Sequence, residues 1–296
     1  MEFLTKHRAW HTEPFCLALL VILAVCMSAC ADRPAPGASS PRSNEIPYPV
    51  LMTDAAERRQ AALVAWTKFM HEQGITNAPA PELQAITATI RNLPTSTGTL
   101  LYLPKVGDHD PMTEEETRDS LRRFITSIRG LLGAEPQQLS LVQRTDLADG
   151  TKKARYEQRP FRYPLRGDYG AVEITFAPDR RVLQVTSTAI PEVEQLQRAG
   201  AGIRPRWTAE KVPDLLAGRT FTYTDEAGNK QTFTVAKGEV ISVRELVIYP
   251  VPRLSDPSTL EFHLAWDIAI GHAPSQQIIY FDAVTDELLA VKQSPK

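Results

Sequence analysis

The apolar positions of the chain follow three different rhythms. Residues 15–25 (FCLALLVILAV) are an unbroken apolar run. Residues 53–73 instead place Ala62, Trp66, Phe69 and Met70 at helical spacing. Thr53 or Asp54 can cap that helix, Glu57 lies in its first turns, and Gly74 stops it. Past Pro79 and Pro81, alternation over residues 86–90 and the short stretch 99–103 predict two strands. Asp110-Pro111-Met112-Thr113 opens a second helix, in which Thr113 and Glu116 make a capping box. Its buried stripe is Leu121, Phe124, Ile125, Ile128, Leu131 and Leu132, and Gly133 ends it. The rhythm then changes to alternation over residues 139–144, 153–159, 171–176 and 182–188. Asp149-Gly150 joins the first two as a hairpin, and Pro178-Asp179-Arg180 turns between the last two. The prediction is a helix followed by a four-stranded antiparallel meander, closed by Ile190-Pro191.

The order repeats after a connector at residues 192–206, which holds Gly200, Gly202 and Pro205. Thr208 can cap a short helix ending at Leu216. Strand patterns follow at 220–224 and 232–235, around a turn at 225–229, then at 242–249, 260–270, 277–281 and 287–292. Two blocks with the same helix-then-sheet order predict an α+β fold of two related domains.

The first apolar run is shorter than the roughly 20 residues a bilayer-spanning helix requires. Lys6 and Arg8 precede it and the small residues Ser28 and Ala29 follow it, the layout of an export signal rather than a membrane anchor. Met27-Ser28-Ala29-Cys30 resembles a bacterial lipobox, with Met in the place where Leu is commoner. The resemblance implies cleavage before Cys30 and acylation of that cysteine, palmitate included. Ala31, rather than Asp, follows it, which in a Gram-negative host implies the outer membrane, on its periplasmic face. Several acyl chains, at about 0.8 kcal/mol per buried CH₂, hold a soluble domain firmly on a bilayer. The Pro-, Ser-, Gly- and Ala-rich stretch that follows has too little apolar surface to order itself and reads as a tether. The expected organisation is therefore a signal peptide over 1–29, lipidated Cys30 and tether over 30–50, an N-terminal segment with a first α+β domain over 51–191, a linker over 192–206 and a second α+β domain over 207–296.

Composition narrows the function. With 33 Lys+Arg against 35 Asp+Glu the net charge is −2, and no basic stripe is visible, which argues against a nucleic-acid binder. Cys16, Cys26 and Cys30 are the three cysteines, so the body has no disulfide framework and no cysteine metal site. His71-Glu72 is half of a zinc-peptidase His-Glu-x-x-His, but the second His is missing and Gly74 breaks the helix. Asp108-His109-Asp110 reads as a solvated loop, His263 as a surface or satisfied core residue, and His272 as an exposed turn residue. Gly200-Ala201-Gly202 lacks the strand-to-helix setting of a phosphate loop. Glu192 with Glu194, and Glu114 to Glu116, read as solvated or capping groups. Trp66, Trp207 and Trp266 read as core or boundary anchors. No catalytic, metal-ligating or cofactor-binding residue is predicted, and no small-molecule substrate.

The second block carries a recognisable pattern: Glu245-Leu-Val-Ile-Tyr-Pro250, Leu264-Ala-Trp-Asp-Ile268 and Ile279-Tyr-Phe-Asp-Ala-Val-Thr-Asp-Glu-Leu-Leu289. It resembles the PepSY domain found in propeptides of thermolysin-like metallopeptidases. Residues 124–193 resemble the fungalysin/thermolysin propeptide domain that precedes it, through Leu131-Leu-Gly133, Tyr156-Glu-Gln158, Gly170-Ala-Val-Glu-Ile174 and the close at Ile190-Pro191. Two positions depart from the pattern: Asp286 stands where a turn Gly is usual, and Arg162-Tyr163-Pro164-Leu165 replaces a Gly-x-Pro-Val turn. The chain ends at Lys296, where a catalytic domain would begin. The resemblance implies a non-enzymatic envelope lipoprotein that inhibits or chaperones a metallopeptidase in trans. The alternative is a non-catalytic structural or assembly lipoprotein of the envelope.

Overall fold

The computed structural model describes residues 47–53, 55–94, 101–159, 161–225, 227–272 and 276–293. The export signal, Cys30 and the tether up to residue 46 lie outside the described residues. Helix α1 (Ala55–Glu72) buries Ala62, Trp66, Phe69 and Met70, the face its periodicity predicts. Gly74, at φ 77°, turns the chain out of it. Helix α2 (Glu114–Ser127) begins on the expected box: Glu116 N–H donates to Thr113 Oγ1 at 3.3 Å, and Thr113 N–H donates to Glu116 Oε2 at 2.7 Å. A short helix α3 (Arg129–Leu132) follows and ends at Gly133, φ 71°. A Cβ there would lie 2.5 Å from the Thr89 methyl, so glycine is required both by conformation and by space.

These helices cover a meander of β4 (Leu139–Asp146), β5 (Lys152–Gln158), β6 (Ala171–Phe176) and β7 (Val182–Ser187), all antiparallel neighbours in chain order. Ala154, Tyr156, Val172, Ile174 and Phe176 alternate inward and meet Phe124, Leu131 and Leu132. Phe69 and Phe124 meet edge to face at 6.2 Å.

The second sheet is built around β11 (Asp256–Ile270). Strand β10 (Ile241–Arg253) lines one edge, with Pro250 and Pro252 in its last third. The other edge pairs with β12 (Gln277–Asp282) and, further along, with β1 (Val50–Met52); β13 (Leu288–Gln293) lies outside β12. One face of β11 presents Leu264, Trp266, Ile268 and Ile270. It packs with helix α5 (Val212–Leu216), through Val212 and Leu216, and with Phe221 of the hairpin β8 (Thr220–Thr224) and β9 (Lys230–Thr234). Asp286 adopts φ 64° at the β12–β13 turn, a left-handed residue accepted without glycine.

The fold is thus mixed α+β, mostly strands with five helices among the described residues. Residues Ile46–Lys296 form one compact unit, in which the two expected blocks share backbone pairings.

Several elements differ from the sequence expectation. Over 86–90 only Ile90 enters a strand, β3 (Ile90–Asn92), which pairs with β2 (Glu82–Leu83). Thr87 and Thr89 bond each other at 2.8 Å and Thr89 Oγ1 donates to Ser187 O at 2.7 Å, so their hydroxyls hold a turn. In the stretch 99–103, Tyr102 makes a single bridge to Arg181, and residues 99 and 100 lie outside the described residues. The expected linker contains helix α4 (Val193–Gly200), whose Val193 and Leu196 are buried; eight residues with two buried positions are too few to display a helical period. Val50–Met52, at the junction of the expected tether and first domain, instead pairs with Leu260–Phe262 of the second sheet.

Candidate functional site

Three features concentrate chemistry. The first fills a break in the edge of β11. Val50–Met52 pairs with Leu260–Phe262 and β12 pairs with Ala265–Ile270, so Leu264 falls between the two partners. The Tyr48 hydroxyl enters there, accepting from Leu264 N–H at 3.0 Å and donating to Asp282 Oδ2 at 2.8 Å. His263 Nδ1 lies 2.7 Å from the same oxygen, and Asp282 Oδ1 accepts from the N–H groups of Val284 and Thr285 at 2.7 and 2.9 Å. His263 Nε2 lies 3.3 Å from Glu261 Oε2, and Arg253 Nε donates to Glu261 Oε1 at 2.5 Å.

Burial alone would raise the Asp282 pKa, but the bonds from His263, Thr285, Val284 and Tyr48 outweigh it and hold the carboxyl below the usual aspartate range. Burial, then the Asp282 charge, pushes the Tyr48 phenol far above its ordinary value. Tyr48 therefore stays a donor, and Nδ1 of His263 carries the proton it shares with Asp282. His263 is 6% exposed and both ring nitrogens face carboxylates of the chain itself. The cluster pins the segment entering β1 to the second sheet.

Asp267, on the same face of β11, is the second feature. Burial raises its pKa, opposed by Arg244 and Arg166, each 3.8 Å away, and reinforced by Glu245. Arg166 also ion-pairs with Glu245.

The third feature is a pair of hollows. Strand β4 pairs only with β5 among the described residues, so its outer edge is unpaired. Beside it a groove of about 460 Å³ runs between α2 and the sheet, with Ile125, Leu139, Leu141 and Tyr156 in its lining and Arg118 and Arg122 from the helix. A separate cavity of about 450 Å³ is walled by Ile248, Phe262 and Leu264 of the second sheet, by Leu196 and Gly200 of α4, and by the loop residues Phe161 and Tyr163.

The residues singled out in the sequence scatter. Cys30 lies outside the described residues. His71 and Glu72 are exposed at the end of α1. His109 Nδ1 lies 2.7 Å from Glu116 Oε1; with the Thr113 bond, this holds the Glu116 pKa at about 2. Glu192 and Glu194 flank the start of α4 on the surface, where Glu192 lies 3.9 Å from Arg58. Gly200 ends α4, and His272 is exposed. Trp66 is buried with its indole N–H on Pro79 O at 2.9 Å, Trp207 donates to Asp286 at 3.0 Å, and Trp266 is buried. Of the histidines named, only His263 joins a buried cluster. Its partner Tyr48 was hidden in a proline-rich stretch that reads as tether; the signal was an aromatic between two prolines.

No family model matches the chain, and no curated protein matches it. Among solved structures the chain is similar to the Bacillus megaterium YpeB C-terminal domain, with 9% sequence identity and a TM-score of 0.27, over 64% of this chain and 68% of that one. At that TM-score the likeness assigns neither a family nor an activity to the chain.

Proposed function

We propose that the chain is an envelope lipoprotein, anchored through Cys30, that binds a protein partner without transforming it. The partner is a metallopeptidase, held in the manner of a propeptide that inhibits it or assists its folding. The observation that carries this reading is the unpaired edge of β4 beside an apolar groove. An extended segment can add there as a further strand, its backbone bonding to β4 while alternate side chains enter the groove over Leu139, Leu141 and Tyr156. The irregularity between Leu141 and Gln143 interrupts that edge, which favours a partner of matching register over indiscriminate pairing.

The test is titration of the full chain against thermolysin-like peptidases, followed by hydrogen exchange. A complex at micromolar concentration, with slowed amide exchange over residues 139–146 and reduced proteolysis, is the expected result. Leu141→Glu places a charge in the groove and lowers affinity about tenfold, with thermal melting as the check on folding. No complex, or a complex protecting other strands only, counts against the reading. Stable association with envelope proteins without any change in proteolysis favours the structural alternative.

A further inference from the structure

The second hollow carries an inference that does not depend on strand addition at β4. Its walls are Val50, Leu196, Ile203, Ile248, Phe262 and Leu264, drawn from β1, α4 and the loop after it, β10 and β11. Its volume of about 450 Å³ falls within the range of small-molecule sites, about 300–1,000 Å³. Two arginines also line it, Arg162 and Arg204. Among the described residues neither has a carboxylate within ion-pair distance. Both are nevertheless held. Arg204 Nη1 donates to Ala201 O at 2.8 Å and Ile203 O at 2.9 Å, and the Arg162 guanidinium stands 5.3 Å over the Tyr163 ring. Those contacts use backbone carbonyls and a π face; both side chains are exposed at the rim of the apolar hollow, and among the described residues neither charge is matched by a carboxylate.

An apolar hollow with two exposed arginines at its rim is complementary to a ligand with an apolar body and one anionic end. We propose that this cavity binds a single-chain amphiphile with a carboxylate head, a long-chain fatty acid, its tail against Ile248, Phe262 and Leu264 and its head between Arg162 and Arg204. The hollow is open to solvent on one side; its apolar lining from Ile248, Phe262 and Leu264 receives the tail and the two arginines receive the head.

The test uses the full chain and fluorescent cis-parinarate, displaced by laurate or by dodecanol. The apolar run at residues 15–25 is common to all variants, so differences between variants report the cavity. Saturable one-to-one binding is expected, with laurate displacing the probe at a concentration about tenfold or more below dodecanol. Arg162→Ala combined with Arg204→Ala removes that preference while dodecanol binding persists. Ala201→Trp, at an exposed position of ordinary helical backbone, fills the cavity and abolishes displaceable binding of both, with an unchanged melting temperature. Three results overturn the proposal: no saturable binding, equal affinity for laurate and dodecanol in the parent chain, or undiminished binding in Ala201→Trp. A short peptide ending in an apolar residue that displaces the probe below the laurate concentration also overturns it, in favour of a polypeptide terminus. Loss of laurate binding leaves the peptidase titration untouched, and the reverse, so the two readings fail separately.

Discussion

The two sheets solve the same packing problem with different chemistry. The β4–β7 sheet buries neutral polar groups and ties them to backbone. Gln158 exchanges two hydrogen bonds with Ile190, at 2.8 and 2.9 Å, and Ser187 donates to Leu132 O at 2.7 Å. The sheet around β11 buries ionisable groups: His263, Asp267 and Asp282 are 6%, 5% and 0% exposed. A neutral side chain tied to backbone leaves orphans of modest cost when removed. A buried carboxylate with four donors leaves a desolvated network with no acceptor. The second sheet therefore depends on a few ionisable groups for its assembly, and the first on apolar volume.

That contrast can be broken most directly at Asp282. Asp282→Ala removes the acceptor shared by Tyr48, His263 and two backbone N–H groups, and is expected to cost about 3–5 kcal/mol in urea unfolding. Its neutral counterpart, Gln158→Ala, strands only the Ile190 N–H and C=O and is expected to cost about 1–3 kcal/mol. Equal losses would dissolve the distinction between the sheets.

Acid sharpens it. The folded pKa of Asp282 is depressed, so its stabilisation is complete above the unfolded carboxyl range near pH 4 and is lost as pH falls through the lower folded value. Asp267 has the opposite sign: its raised folded pKa makes the fold gain stability as pH falls from the folded toward the unfolded value. Asp282→Asn should remove the acid loss and Asp267→Asn the gain, read from urea midpoints across pH 3–6. The Gln158→Ala variant should keep the parent's pH dependence. A pH profile unaltered by both aspartate variants would contradict these assignments.

The smallest expected effect is at Asp286. Glycine there relieves a left-handed backbone by roughly 1 kcal/mol, but it also removes the acceptor for Arg206 and for the Trp207 indole N–H. Asp286→Gly should change stability by less than about 0.5 kcal/mol, read from thermal melts. A large gain would mean that the two hydrogen bonds contribute nothing.

Legibility followed periodicity. The α1 face, the Thr113–Glu116 box, the Gly133 stop and the order of the four-stranded meander could be read because each rests on residues close in the chain. Helix α4 was missed because its period is truncated between Pro191 and Gly200, and β1 because three residues carry no period. The candidate sites were less legible still. The cavity takes Val50, Tyr163, Leu196 and Phe262 from four separate segments, each of which reads alone as an ordinary apolar residue.

The amino-acid sequence by itself determined the α+β character, most element positions and the turns, because local spacing, caps and left-handed positions act over a few residues. Only the tertiary structure decided that Tyr48 completes the β11 edge, that β10 and β11 run 13 and 15 residues, and that two arginines stand beside an apolar hollow. Those outcomes depend on which distant segments meet once apolar faces are buried, and pairing between residues separated by up to 234 positions leaves no local pattern to read.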